Sequence, residues 1–229
     1  MEDLHIIEQP SPNHDARPPG QAIDTLVLHY TGMQSGGAAL ERLCDPAAKV
    51  SAHYLVEEDG RIFQLVSESH CAWHAGLSCW QGATNINARS LGIEIVNPGH
   101  EFGYRPFPPE QMAAVKLLAL DILARHPIPA ARVLGHSDVA PLRKEDPGEL
   151  FDWRALAAAG IGLWPEAGAS AVLESAVGKA LARIGYGYTD EDLPAVIRAF
   201  QRHFRPSSVT GNADPDTRRR LAALLAVID

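Results

Sequence analysis

Residues 24–30 form a continuous, mostly apolar run, which is typical of a strand buried on both faces of a sheet. Other apolar runs and turn signals predict a hairpin and two further strands, and the segments between them predict helices. The predicted strands are 53–66 (a hairpin turning at Asp59-Gly60), 90–96 and 131–134, and the predicted helices are 35–43, 108–125 and 151–159. Because strands alternate with helices, the sequence predicts a mixed α/β layer fold.

The composition changes at 161–168, a segment typical of a linker. Three helical segments follow it, near 170–184, 190–204 and 214–228. Asp214 and Pro215 fit the N-cap and the first position of the last helix. A module of about 60 residues is small for independent stability. The sequence predicts two domains, residues 1–165 and a helical domain at 170–229.

The charge and cysteine content exclude several classes of function. The formal net charge is -8 over 229 residues and no basic block is present, so we expect no nucleic-acid partner. Cys44, Cys71 and Cys79 form neither a disulfide framework nor a zinc ribbon, although Cys71 and Cys79 could pair. No signal peptide and no bilayer-spanning run is visible, so we expect a cytoplasmic protein. A trimmed form of a periplasmic or envelope protein would look the same.

Two histidines end predicted strands. His29 closes the run at 24–30, and His136 follows the strand at 131–134 and opens a polar loop that contains Asp146. Two histidines and a carboxylate suit a catalytic zinc site, in which the fourth position is left for a water whose pKa falls to about 7. The alternative for His29 is a hydrogen-bonded histidine of the core.

A second metal site is conceivable in the same loop. His136-Ser137-Asp138 has the His-x-Asp spacing of a non-haem iron site. That site needs another histidine further along the chain, and only His203 follows, within the helical module. The other histidines outside the strands, His14 and His100 among them, lie in polar contexts that predict no role.

Three further segments carry candidate residues. Glu94 is a lone carboxylate in an apolar strand, where it either faces solvent or lies in a cleft with a raised pKa. Lys144 lies two residues before Asp146 and is either a surface lysine or a cation that stabilises a developing oxyanion. Trp73-His74 precedes a glycine and fits either a ligand groove or a packed loop.

Together these segments resemble the zinc-dependent N-acetylmuramoyl-L-alanine amidases of the type 2 amidase family, relatives of the peptidoglycan recognition proteins. The matching segments occur in the family's order across about 25–150: Leu28-His29-Tyr30-Thr31, 53–60, Ala72-Trp73-His74-Ala75-Gly76, 91–95, Gly135-His136-Ser137-Asp138 and Lys144-Glu145-Asp146-Pro147-Gly148. The resemblance implies an α/β fold with a central mixed sheet flanked by helices, followed by a small three-helix domain.

The resemblance also implies an activity and roles for individual residues. It implies zinc-dependent hydrolysis of the amide between N-acetylmuramic acid, in its ordinary or 1,6-anhydro form, and L-alanine of the stem peptide, in cell-wall turnover or recycling. One Zn²⁺ per chain is expected. The implied roles are zinc ligands for His29, His136 and Asp146, catalytic roles for Glu94 and Lys144, and substrate binding for Tyr30, Trp73 and His74.

The lead-in at 11–18 and the tail resemble, more narrowly, two-domain AmiD-type amidases with a helical domain similar to peptidoglycan-binding modules. The best-known members of that subgroup are envelope lipoproteins, whereas no lipobox is visible here. The competing hypothesis is a muropeptide receptor without activity, and the retained ligand set argues against it. A third hypothesis makes the helical domain purely structural. The oligomeric state stays open.

Overall fold

The computed structural model describes residues 4–228. Eight strands and nine α-helices lie within this range. The strands are β1 (Ile6–Glu8), β2 (His14–Ala16), β3 (Thr25–Tyr30), β4 (Tyr54–Val56), β5 (Ile62–Gln64), β6 (His70–Ala72), β7 (Ser90–Ile95) and β8 (Val133–Gly135). The helices are α1 (Gly36–Cys44), α2 (Ile86–Arg89), α3 (Gly99–Phe102), α4 (Pro109–Arg125), α5 (His136–Val139), α6 (Trp153–Ala158), α7 (Val177–Ile184), α8 (Leu193–Phe204) and α9 (Pro215–Ile228).

Six strands form a mixed sheet in the order β1-β5-β4-β7-β3-β8. Strands β4, β7, β3 and β8 run parallel to their neighbours in that order, whereas β5 is antiparallel to β4. The hairpin predicted at Asp59-Gly60 is confirmed, because the amide of Glu57 bonds to the carbonyl of Arg61 across the turn. Strands β2 and β6 form a separate antiparallel pair. This architecture confirms the predicted mixed sheet flanked by helices.

The two faces of β3 enter different environments, because successive side chains of a strand alternate. Leu26 and Leu28 pack against Val115 and Leu118 of α4 in the main core. Val27 faces the opposite side, in a second core with the C-terminal helices. His29 follows Val27 on that second face, so the strand presents its histidine away from α4.

The three C-terminal helices share a core with the sheet instead of packing only against one another. Val196 and Phe200 of α8 belong to the same buried cluster as Val27 of β3, Leu134 of β8 and Val139 of α5. A module too small to bury a core alone thus completes its core on the larger domain.

Three segments differ from their predicted structure. The strand predicted at 131–134 begins only at Val133, because a 3₁₀ turn occupies Ala130–Arg132. The first C-terminal helix begins at Val177 instead of near residue 170; a 3₁₀ turn at Glu174–Ala176 precedes it, and the amide of Val172 bonds the carbonyl of Arg218 on α9. The loop predicted after the last strand starts as the one-turn helix α5, and the chain turns irregular after it, where Pro141 lies. At the N-cap of α9, Asp214 accepts the amide of Thr217, as predicted.

Cys44, Cys71 and Cys79 are free thiols. Within residues 4–228, no helix has both the length and the apolar character that a bilayer span requires.

Candidate active site

The carboxyl ends of neighbouring parallel strands bring the candidate residues together. His29 on β3 pairs in register with Glu94 on β7, and Leu28 pairs with Gly135, the residue before His136. Parallel strands end at one edge of a sheet. Glu94 and His136 therefore lie beside His29, although they follow it in the sequence by 65 and 107 positions. The strands thus place a carboxylate and two histidines on the same edge.

His29, His136 and Asp146 form a compact buried cluster. Nδ1 of His29 lies 2.9 Å from Nδ1 of His136, and each of these nitrogens lies about 3 Å from Oδ2 of Asp146, at 3.1 and 3.0 Å. Their donor atoms all fall within 4.8 Å of one another, and this is the one group of this kind found among the described residues. Three converging N and O donors fit a zinc ion with one open position.

The charges of the cluster suit a metal cation. Burial lowers the pKa of His29 to about 4, so the ring is neutral and can offer a lone pair. Burial alone would raise the pKa of Asp146, but the neighbouring His136 and His29 hold it well below its usual range. A neutral imidazole and an ionised carboxylate are the protonation states that metal binding requires.

Each histidine uses its second nitrogen to fix its ring. Nε2 of His136 lies 3.1 Å from the carbonyl of Ala75, to which it donates when Nδ1 faces the cluster. Nε2 of His29 lies 3.0 Å from Nδ1 of His74. Nε2 of His74 in turn lies 3.1 Å from Oγ of Ser90. Metal-binding histidines are usually oriented by such outer hydrogen bonds.

The alternative iron site is wrong. Asp138 does not join the cluster, because Oδ1 accepts a hydrogen bond from Tyr186 and Oδ2 accepts one from His203. His203 does approach Asp138, but His136 turns its ring toward His29 instead. The three residues therefore share no common centre.

Glu94 and Lys144 line one cavity with the cluster. This cavity has a volume of about 220 Å³, and Asp146 and His136 form part of its wall. Burial and the nearby charge of Asp146 raise the pKa of Glu94 well above its ordinary value, whereas Lys144 acts in the opposite direction. Oε2 of Glu94 is buried without a hydrogen-bond partner among the described residues. Glu94 thus faces a cleft and not bulk solvent.

The three residues expected to bind substrate also line this cavity, but they differ in how many of their polar atoms are already bonded to protein groups. The indole N–H of Trp73 donates a hydrogen bond to Asp15 at 2.7 Å. The hydroxyl oxygen of Tyr30 lies 2.9 Å from Nδ1 of His100. His74 is 8% exposed and both of its ring nitrogens contact protein groups. Its geometry suits support of His29 better than contact with a ligand.

Several residues around the site carry no signal in the sequence pattern. Met33 and Arg42 line the cavity from α1 and the turn before it. Asn87 accepts the amides of His74 and Ala75 through Oδ1 and so holds the loop that carries both. A lone asparagine or arginine in a surface-like segment gives no periodic pattern, so only the three-dimensional structure reveals these roles.

Comparison with known proteins identifies the family of the chain. A family model described as N-acetylmuramoyl-L-alanine amidase matches residues 19–149, and a peptidoglycan-binding-domain model matches 175–221. The chain belongs to the N-acetylmuramoyl-L-alanine amidase family. This confirms the family that the sequence motifs predict.

Two curated relatives illustrate the similarity within the amidase family. N-acetylmuramoyl-L-alanine amidase AmiD of Escherichia coli is 40% identical, over 96% of this chain and 90% of its own length. The 1,6-anhydro-N-acetylmuramyl-L-alanine amidase AmpD of Haemophilus influenzae is 37% identical, over 62% of this chain and 85% of its own length. The first of these alignments thus includes the C-terminal helices.

Two solved structures of the amidase family superpose on this chain over both the sheet and the C-terminal helices. The complex of E. coli AmiD with anhydro-N-acetylmuramic acid-L-Ala-D-gamma-Glu-L-Lys gives a TM-score of 0.82, with 40% identity and 92% coverage of each chain. Pseudomonas aeruginosa AmpDh3 in complex with anhydromuramic pentapeptide gives 0.83, with 34% identity, 92% coverage of this chain and 94% of that one.

Proposed function

We propose that this chain hydrolyses the amide between the lactyl group of N-acetylmuramic acid and the L-alanine of a peptidoglycan stem peptide. The observation that carries the proposal is the buried cluster of His29, His136 and Asp146, with Glu94 in register beside His29. Two structures similar over 92% of this chain are complexes with anhydromuramyl peptides. Their substrates make the 1,6-anhydro form the first choice for this enzyme.

The proposed cofactor is one zinc ion, for which the donor set fits. His29 and His136 would each hold it through Nδ1, and Asp146 would hold it through Oδ2. A zinc ion there would lower the pKa of a bound water and polarise the carbonyl of the scissile amide.

Glu94 is the proposed proton carrier. Its carboxyl group lines the cavity, and burial raises its pKa above the ordinary value. A carboxyl group placed in this way can act first as a general base and then as a general acid. It takes a proton from the attacking water and delivers it to the nitrogen of the departing L-alanine. The oxygen of this water forms a new C–O bond to the carbonyl carbon, and the C–N bond then breaks. The products are a lactyl carboxylate and a free amine.

Lys144 is the proposed oxyanion partner. It lies two residues before Asp146 and lines the same cavity, so its ammonium group can face the carbonyl oxygen as negative charge develops there. Tyr30 and Trp73 form walls of the cavity near this point and are proposed to contact the substrate. We propose that the chain has two domains: residues 1–165 carry out this chemistry, and the helices at 170–229 form the second domain.

A digest of purified muropeptides tests the proposal. Zinc-loaded protein and a chelated control are incubated with anhydro and reducing muropeptides, and products are resolved by mass spectrometry. Release of stem peptide only with zinc is expected. Bound zinc without any release would contradict the proposed function and favour a muropeptide receptor.

A further inference from the structure

The loop that carries two of the three proposed zinc ligands is held by the C-terminal helices. We name residues 136–148 the metal loop, since His136 begins it and Asp146 lies near its end. The amide of Ser137 bonds the carbonyl of Asp146 at 2.9 Å, so the two ligand-bearing ends are joined directly. Any group that fixes this loop therefore affects both ligands.

The first attachment is at Asp138, within the same turn of helix as His136. Oδ2 of Asp138 accepts a hydrogen bond from Nδ1 of His203 at 2.7 Å and another from the amide of Gly135 at 2.7 Å. Oδ1 accepts the hydroxyl of Tyr186 at 2.6 Å. Asp138 is 0% exposed, so this carboxylate depends on these donors in place of water. Two of the three donors come from the C-terminal region.

His203 is itself held in one orientation. Its ring stacks on Trp153 of α6, with centroids 3.8 Å apart and planes at 18°, and on Phe204, at 3.9 Å and 2°. The ring is 3% exposed. A histidine packed in this way presents Nδ1 to Asp138 with little freedom. The sequence gives no sign of this role.

The second attachment is at Glu145, the neighbour of Asp146. Arg202 of α8 forms an ion pair with Glu145, and its Nε lies 3.9 Å from Oε2 of Glu149. The side chain of Arg202 is only 10% exposed, whereas that of Glu145 is 48% exposed, so the pair is shielded from solvent on the side of Arg202 alone. Glu149 also contacts His100 at 3.2 Å, the histidine that meets the hydroxyl of Tyr30. The attachment thus extends to the cavity wall.

We propose that Arg202 and His203 are positioning residues for the metal loop, so that helix α8 forms part of the zinc site of the enzyme. The inference rests on the proposed function only in taking zinc as the bound metal. Arg202 and His203 touch neither substrate nor metal; they fix Glu145 and Asp138, and through them the backbone that aims Asp146 and His136. The helical domain then contributes to catalysis apart from any contact with the cell wall.

Variants of the full-length chain test this inference. Arg202→Gln removes the ion pair with Glu145, and His203→Phe removes the donor to Asp138 while it keeps the ring that packs on Trp153. Arg205→Gln is the matched control, because Arg205 directly follows α8, is similarly buried, and pairs with Asp214 of the C-terminal region instead of with the metal loop. Folding of each variant is checked by circular dichroism.

The primary readout is the zinc dissociation constant, measured by competition with a chromophoric chelator. We expect an increase of about 10-fold or more in each α8 variant, in the range typical of residues that orient metal ligands, and less than about 2-fold in Arg205→Gln. The visible absorption of Co²⁺-loaded protein is the second readout, since it reports ligand geometry. It should change in both α8 variants and stay unchanged in the control.

The outcomes separate this inference from the proposed function. Folded α8 variants with the zinc affinity and Co²⁺ spectrum of the unaltered chain would overturn the positioning role. An unaltered chain that binds zinc tightly but releases no stem peptide would overturn the proposed function and leave the affinity comparison intact. If Arg202→Gln fails to fold, His203→Phe and its Co²⁺ spectrum decide the matter.

Discussion

Nδ1 of His74 lies 3.0 Å from Nε2 of His29, on the far side of the ring from the nitrogen that faces His136 and Asp146. With Nδ1 of His29 free to bind metal, Nε2–H donates to His74, and Nε2–H of His74 donates to Ser90. The hydroxyl of Ser90 then donates to the carbonyl of Ile86 at 2.7 Å. This chain of hydrogen bonds sets the tautomer of a proposed zinc ligand.

Replacement of His74 should therefore weaken metal binding. We expect His74→Ala to raise the zinc dissociation constant about 10- to 100-fold, since the loss of an orienting partner has effects of this size. Competition with a chelator measures it, and His14→Gln, at an exposed histidine of β2, is the control. Unchanged affinity in His74→Ala would remove the residue from the metal site.

A second variant displaces His74 without removing it. A Cβ on Gly92 would lie 2.5 Å from Cγ of the His74 ring, which is closer than packed atoms approach. We expect Gly92→Ala to push the ring away from His29 and to lower zinc affinity in the same direction as His74→Ala. A Gly92→Ala chain that folds and binds zinc normally would show that the position of His74 is not required.

Glu94 should be required for turnover but not for metal binding. Glu94→Gln keeps the shape of the side chain and removes its ability to carry a proton. We expect hydrolysis to fall about 10²- to 10⁴-fold, the usual contribution of a general acid–base group, with one zinc still bound. Muropeptide turnover and metal analysis are measured on the same sample. A near-normal rate would exclude Glu94 as the proton carrier.

Acid should destabilise the protein through His53. This buried side chain accepts the amide of Gly92 through Nδ1, and burial lowers its pKa to about 3. The unfolded chain binds this proton below pH 6.5 and the folded chain does not, so the free energy of unfolding falls as pH drops from about 6.5 to 3. The slope from this one group approaches about 1.4 kcal/mol per pH unit.

Urea unfolding at a series of pH values measures this contribution. In His53→Asn the amide oxygen can still accept from Gly92, and the ionisable ring is gone. We expect the free energy of unfolding of the variant to fall less steeply between pH 6.5 and 4 than that of the unaltered chain. Parallel slopes would show that His53 does not carry the predicted pH dependence.

Removal of the C-terminal helices should damage the catalytic domain itself. A chain ending at residue 168 exposes Val27, Leu134 and Val139, which pack against α8. Each such side chain contributes about 1.5–3 kcal/mol when fully buried. We expect aggregation or a lower melting temperature, measured by light scattering and calorimetry. A truncated chain that is monomeric and equally stable would show that the two domains fold separately.

The sequence predicts the parts of the fold that depend on local signals. The run at 24–30 and the turn at Asp59-Gly60 specify β3 and the hairpin, because apolar continuity and an Asp-Gly pair act within a few residues. Strands β1, β2 and β6 are missed, since each is only three residues long, none is marked by a turn signal such as Asp59-Gly60, and their pairing is decided by distant segments.

Some residues of the candidate site can be predicted from the sequence, whereas others are found only in the structure. Strand-end positions single out His29 and His136 from the sequence, and the structure places them together with Asp146. The link between Asp138 and His203 spans 65 residues and depends on how α8 packs, which no spacing rule contains. The roles proposed for Glu94 and Lys144 rest on family resemblance, because a strand carboxylate and a loop lysine each have commoner structural explanations.

Labelled water tests directly whether the chain hydrolyses the amide between the lactyl group and L-alanine. The zinc-loaded chain is incubated with anhydro-N-acetylmuramyl peptide in H₂¹⁸O, and both products are analysed by mass spectrometry. We expect ¹⁸O in the lactyl carboxylate of the muramic acid and an unlabelled stem peptide with a free L-alanine amine. Cleavage at any other bond, or no cleavage by zinc-loaded protein, would contradict it.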